Sequence, residues 1–66
     1  MKYPYDQLDR PGAFAMVRTS RVLASVREAA RQYGKRHGMK IEVTREDEPP
    51  EVRKEFGALY RMDRVE

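Results

Sequence analysis

Three cations, Arg27, Arg31 and Lys35, recur at a four-residue spacing. On an α-helix that spacing aligns them along about 12 Å of one face. Arg21 and Arg36 flank the row, and Lys40 follows it. The planar guanidinium fork suits two-point contact with phosphate or carboxylate. Phosphates repeat at short intervals along a nucleic-acid strand, so such a row meets several at once and binds in a salt-dependent way. Arg21, Arg27, Arg31, Lys35, Arg36 and Lys40 are therefore the candidate binding residues. Two other readings stay open: the row is the solvated face of an amphipathic helix, partly neutralised by Glu28, or it meets an acidic protein surface.

Catalytic chemistry has little support. The chain lacks a glycine-rich phosphate loop and a nucleophile elbow. It has no cysteine and one histidine, His37, so neither a thiolate metal site nor a disulfide can form. The acidic run Glu46-Asp47-Glu48 lacks the alternation and central glycine of a calcium loop. The expectation is a binding protein without catalytic residues, cofactor or metal. Gln32 is the single amide on the expected helix, and no helix-turn-helix, zinc or RNP pattern is present. An aromatic free to stack on bases would have to be Tyr3 or Tyr5, because Tyr33 falls on the apolar side. Backbone contact is thus expected over base reading.

The elements that position these residues follow from periodicity. Residues 1–12 form an extended lead-in, anchored by Leu8 and closed by an Arg10-Pro11-Gly12 turn. Residues 13–17 read as a short strand with Phe14 and Met16 on one face. Thr19 and Ser20 offer N-caps for a helix over 20–37. At about 100° per residue, Val22, Leu23, Val26, Ala29, Ala30, Tyr33 and His37 share one arc. Gly34 either permits close packing or ends the helix early, while Gly38 is the natural stop. Residues 39–45 alternate as a half-buried strand, with Met39, Ile41 and Val43 on one side. Residues 46–57 form an acidic, proline-broken connection in which Glu51 to Phe56 is either a helical turn or a loop, with Phe56 folding back. Residues 58–65 make the last strand, with Tyr60 and Met62 inward. The expected fold is α+β: a single, small two-layer β-α-β-β domain with one amphipathic helix packed on a short antiparallel sheet.

Composition agrees with this. A chain of 66 residues is one domain, and a domain that small buries only about 60% of its unfolded surface. No apolar run reaches the roughly 18 residues of a membrane helix. No apolar leader follows Met1, so a cytoplasmic location is expected. The net charge of +3 conceals an asymmetry: residues 18–45 carry +6 and residues 46–57 carry −3. Such separation favours a polyanionic partner at one surface.

Tyr3-Pro4-Tyr5-Asp6, Leu8, Gly12 and Phe14, the block Tyr33-Gly34-Lys35-Arg36-His37-Gly38, then Met39-Lys40-Ile41 and the late Tyr60-Arg61 form a pattern. It resembles a group of very short tailed-phage and prophage proteins with a "YPFD…G…F" start, a "YGKRxGxKF" centre and a "VWRV"-like final strand. The likeness spans most of the chain. Departures are the Pro49-Pro50 acidic connection and tyrosine where tryptophan is usual. The resemblance implies phage origin, a compact fold and action in the host cytoplasm. Phages use many such proteins to bind and redirect host machines. The expected partner is therefore nucleic acid or a host nucleic-acid-processing complex. The alternatives are an inhibitor of RNA polymerase or of a defence nuclease such as CRISPR, acting by protein contact, and a self-assembling protein that forms a homodimer.

Overall fold

Arg10-Pro11-Gly12-Ala13 starts the fold by reversing the chain. The computed structural model describes residues 3–66, so the first two residues of the expected lead-in lie outside it. Ala13 N–H donates to the Arg10 carbonyl at 3.1 Å, and Gly12 has φ +92°. Proline at the first corner and a positive φ at the second define a type II turn. Gly12 N–H then donates to the Arg64 carbonyl while Arg64 N–H donates to that of Ala13. This is a glycine bulge, and it sets the phase of the strand that follows.

Three strands and two helices follow in order: β1 (Phe14–Thr19), α1 (Leu23–His37), β2 (Ile41–Arg45), α2 (Pro50–Phe56) and β3 (Ala58–Arg64). The sheet order is β1-β3-β2, and both ladders are antiparallel. The α+β expectation of one long helix on a short antiparallel sheet holds. Ala15, Met62 and Val43 stand abreast across the sheet, with Val17 beside Tyr60 in the next row. These side chains, with Ala58, Leu8 and the helix residues Val26 and Ala30, form the core. Alanine at positions 15 and 30 lets α1 lie close to the sheet, leaving volume for Tyr60 and Met62. Met39, Ile41 and Val43 lie on the core side of their segment, while Lys40, Glu42 and Thr44 are exposed.

Several local expectations are corrected. Thr19 and Ser20 do not cap α1. Thr19 is the buried last residue of β1, paired with Ala58, and its Oγ1 accepts from Arg21 N–H at 3.2 Å. Residues 20–22 are needed to carry the chain from the sheet layer to the helix layer. The helix therefore starts at Leu23, with Val22 in the extended N-cap position and no side-chain cap. Val22 leaves the apolar arc and is 65% exposed. At the other end Gly38, with φ +67°, stops the helix as expected. Gly34 serves close packing: it is buried, and a Cβ there would collide with the Met39 carbonyl.

Of the two readings of Glu51 to Phe56, the helical turn is the one that forms, as α2. Pro50 occupies the first turn of α2, where its missing donor costs nothing. Glu51 lies at the start, with Arg53 and Lys54 in the last turn, each suited to its end of the dipole. Phe56 does not fold back but stands 61% exposed.

Leu8 anchors the lead-in at 1% exposure, and its carbonyl accepts from Arg64 Nη1 at 3.1 Å. Residues Tyr5–Gln7 form a single 3-10 turn. The rings of Tyr3, Tyr5, Tyr33 and His37 stack in sequence, with the Tyr5–Tyr33 centroids 4.0 Å apart and those of Tyr33 and His37 4.1 Å apart. His37 is thus an exposed end of an aromatic ladder and not part of the buried arc. Within the ladder the Tyr5 hydroxyl is buried without a hydrogen-bond partner. Desolvation, with smaller contributions from Tyr3 and Tyr33, pushes its pKa up to about 12. An unfolded tyrosine ionises near pH 10. The associated stability is therefore complete below about pH 10 and is lost as the pH climbs toward 12. Tyr5→Phe is expected to remove this alkaline sensitivity. At neutral pH it should leave the protein as stable or about 1 kcal/mol more stable, since an unpaired buried hydroxyl disappears. Thermal melts of both proteins at pH 7 and pH 11 check this; equal losses at pH 11 would contradict it.

Candidate nucleic-acid interface

The six expected binding residues do not share one solvent face. Arg27 leans over the sheet margin, where its Nε donates to the Val43 carbonyl at 3.2 Å. Arg31 grips Glu28 through two bonds of 3.0 and 2.7 Å. Gln32 adds a third bond to Glu28 at 3.1 Å, which occupies the helix's one amide. These bonds from Arg31 and Gln32 pull the Glu28 carboxyl down to about 2. Lys35 continues the row, and Lys40 precedes β2; both are exposed. Arg36 lies on the opposite flank, beside Tyr3, Tyr5 and Tyr33. Arg21 precedes the helix, with its guanidinium 5.9 Å from the Tyr3 ring centroid. Arg27 thus sits beside β2, with Arg31 and Lys35 continuing its row along α1, while Arg21 and Arg36 belong to the aromatic side. Tyr3 and Tyr5 are occupied with each other and with Tyr33, so they are not the free stacking surface expected of them.

A second cationic feature arises from topology. β1 and β2 both run antiparallel to β3, so they run parallel to each other. Their C-terminal residues, Thr19 and Arg45, therefore reach the same end of the sheet. The start of α1, the whole of α2 and the start of β3 meet there as well. Between them lies an open groove of about 730 Å³ that includes Arg21, Arg45, Arg53, Lys54, Val22 and Phe56 in its lining. Among the described residues, none of Arg21, Arg45, Arg53 and Lys54 is in a salt bridge. Arg18 also borders the groove but is committed elsewhere. It holds Glu48 through bonds of 3.0 and 2.8 Å and donates to the Gly57 carbonyl at 3.0 Å. The Arg18 bonds lower the Glu48 pKa, and the nearby charges of Arg18 and Arg53 add to this. The acidic segment therefore quenches Arg18, while Arg45, Arg53 and Lys54 stay outside any salt bridge among the described residues, with Glu55 as the one acid in the same lining.

Two features hold the groove in shape. The Tyr60 hydroxyl, on a ring 2% exposed, donates to the Arg21 carbonyl at 2.7 Å and fixes the rim to the core. Gly57 has φ +87° and lies so near β1 that an added Cβ would stand 2.7 Å from the Thr19 carbonyl. That approach brings α2 against the end of the sheet.

Nothing in the local pattern of the sequence singles out Arg45, Arg53, Lys54 and Phe56 as site residues. Arg53 and Lys54 lie in a run whose net charge is negative, and averaging hides them. The signal that could find them is helical phase. In α2, Glu51 and Glu55 share one side at a four-residue spacing, which places Arg53 and Lys54 on the others. Arg45 requires knowledge of the strand order.

Among the described residues no cluster of His, Asp and Glu is placed to hold a metal ion, and no helix is long and apolar enough to cross a membrane. Comparison of the chain with protein-family models, with curated proteins and with solved structures gives no match.

Proposed function

We propose that this protein binds single-stranded nucleic acid through the groove at the C-terminal ends of β1 and β2, without catalysing a reaction. The observation that carries the reading is the gathering of Arg45, Arg53 and Lys54, free of salt bridges among the described residues, in one groove with the exposed Phe56, while Arg21 contributes its backbone to the rim. Cations that follow a sugar-phosphate backbone, with an aromatic on which a base stacks, are the shared device of single-strand binders. The row of Arg27, Arg31 and Lys35 on α1 adds further cations, of which Arg27 stands beside β2. Nothing in the groove offers a dense set of amide donors for base edges, so binding is dominated by the backbone. The likeness to short phage proteins supports the same direction, since a host's nucleic-acid machinery is where such a binder acts.

Fluorescence anisotropy with a labelled oligonucleotide tests this. Binding should weaken steeply with salt. The triple variant Arg45→Glu, Arg53→Glu, Lys54→Glu should lower affinity at least hundredfold at low salt. It should also flatten the logarithmic salt slope by about 0.7 for each phosphate that is no longer neutralised. Phe56→Ala should cost about 1–3 kcal/mol on single strands and little on duplex. Unchanged affinity in the triple variant would overturn the reading. An inhibitor of a host complex acting by protein contact predicts the reverse pattern: no oligonucleotide binding, and capture of that complex from nuclease-treated lysate. Val22 and Phe56 at the groove rim are the features that would serve it.

A further inference from the structure

The two edges of the sheet are unlike. The glycine bulge directs the Ala13 carbonyl toward β3. By the alternation of a strand, Ala15, Val17 and Thr19 also direct their N–H and C=O groups to β3. Phe14, Met16 and Arg18 therefore point theirs away from the sheet. Among the described residues nothing bonds to those outward groups. On β2 the same phase argument holds in reverse: Lys40 and Glu46 bond toward β3, which turns Ile41, Val43 and Arg45 outward. There, however, Arg27 crosses from α1 and occupies the Val43 carbonyl. Natural sheets blunt their edges with prolines, internal bulges, lysines or covering side chains. β2 has such a cover. Among the described residues β1 has none over its six residues, Phe-Ala-Met-Val-Arg-Thr, and the Tyr5–Gln7 turn packed near it makes no hydrogen bond to it.

The side chains on this edge are also the unburied ones. Phe14 is 52% and Met16 38% exposed on the sheet face opposite α1, and Arg61 lies over the Phe14 ring at 4.2 Å. A strand that offers a bare hydrogen-bonding edge and an apolar strip together is matched by another strand carrying the same pair of features.

We infer that β1 pairs antiparallel with β1 of a second copy of this chain, about a two-fold axis at Met16, to form one continuous sheet. The register follows from three considerations. Only a centre at Met16 sets all three outward residues against outward residues: Phe14 opposite Arg18, Met16 opposite Met16, and Arg18 opposite Phe14. Each such pair exchanges two backbone bonds. A centre at Arg18 would place like charges face to face, which destabilises a ladder. A centre at Phe14 would carry Met16 against the Gly12 bulge and lose its pair. In the chosen register the stem of Arg18 lies across the partner's Phe14 ring while its head keeps Glu48. The two-fold axis is perpendicular to the sheet, so both α1 helices stay on one side. The Phe14 and Met16 side chains of the two copies merge on the other. This pairing meets the groove only at Arg18, which borders it and is held by Glu48 and the Gly57 carbonyl.

Sedimentation from low micromolar to near-millimolar concentration should show a monomer passing to a dimer and stopping there. Met16→Lys sets two ammonium groups opposite each other at the axis. It should weaken dimerisation at least tenfold while the circular dichroism spectrum is kept. The register is read separately by cross-linking, since the natural chain has no cysteine. Met16→Cys brings two thiols together at a Cα separation of about 5.5 Å, within the range a disulfide spans, and should oxidise to a covalent dimer. Phe14→Cys places its two thiols about 13 Å apart and should not. A natural chain that stays monomeric throughout the range would overturn the inference, as would a Phe14→Cys protein that cross-links as readily as Met16→Cys.

Discussion

Gly57→Val is expected to leave the protein unfolded at room temperature. Gly57 has φ +87° and ψ 172°, a backbone region that only glycine enters without strain. Holding a side chain there costs about 1–3 kcal/mol. The space is closed as well, because a Cβ would stand 2.7 Å from the Thr19 carbonyl carbon and oxygen and 2.9 Å from the Ser20 nitrogen. Those are backbone atoms of the β1 terminus and cannot swing aside as a flexible side chain would. Relief requires β3 to part from β1 at the pair Thr19–Ala58, or α2 to pull away from the groove. A single core in a chain this short supplies rarely more than about 3–5 kcal/mol of net stability. Strain and clash together exceed that margin. Gly57→Ala, with the same φ problem and a smaller group, should retain a fold whose urea midpoint is much lower. Urea titration followed by circular dichroism is the check. A Gly57→Val midpoint equal to that of the natural chain would show that the junction yields more easily than its geometry states.

Tyr60→Ala should be comparably severe, for a different reason. Tyr60 is among the largest fully buried side chains and sits on the central strand. Truncating a buried aromatic removes about 3–5 kcal/mol, again the whole of the margin expected for this size. Tyr60→Phe separates packing from hydrogen bonding. It keeps the ring and loses only the bond to the Arg21 carbonyl, worth about 1 kcal/mol. The folded Tyr60→Phe protein should therefore melt slightly earlier. It should also bind oligonucleotide more weakly, because Arg21 is no longer held to the core at the groove rim. If affinity were unchanged while stability fell, the Tyr60 bond would serve the core alone.

What the sequence reveals about this fold depends on the range of the signal. The apolar periodicity around Val26, Ala30 and Tyr33 identifies α1, because helix burial is a local pattern of the chain. The alternation of Met39, Ile41 and Val43, and the inward setting of Tyr60 and Met62, are legible for the same reason. The start of α1 is misread because Thr19 and Ser20 are good caps in isolation, while the ladder to Ala58 claims Thr19 first. α2 is legible only as one of two alternatives, a helical turn or a loop, because it is short and follows a run of acids, although Pro50 and the placing of Glu51 and Lys54 are helix signals. The proposed binding residues are harder still. The i, i+4 row is present as a pattern, yet Arg31 is held by Glu28 and Arg27 by a backbone carbonyl. The groove gathers residues from β2, α2 and the turn before α1, and only the strand order brings them together.

The order β1-β3-β2 has a consequence for how the chain reaches its native state. Of the three described strands β1 is synthesised before β2 and β3, and within their sheet β3 is the one neighbour of β1. A nascent chain can form α1 while β1 waits with both of its edges open; its ladder starts only when Ala58 arrives opposite Thr19 and closes when Asp63 stands opposite Phe14. Such long-range closure slows folding relative to a helical bundle of equal length. During that interval the Phe14–Thr19 segment is the part most in need of a chaperone.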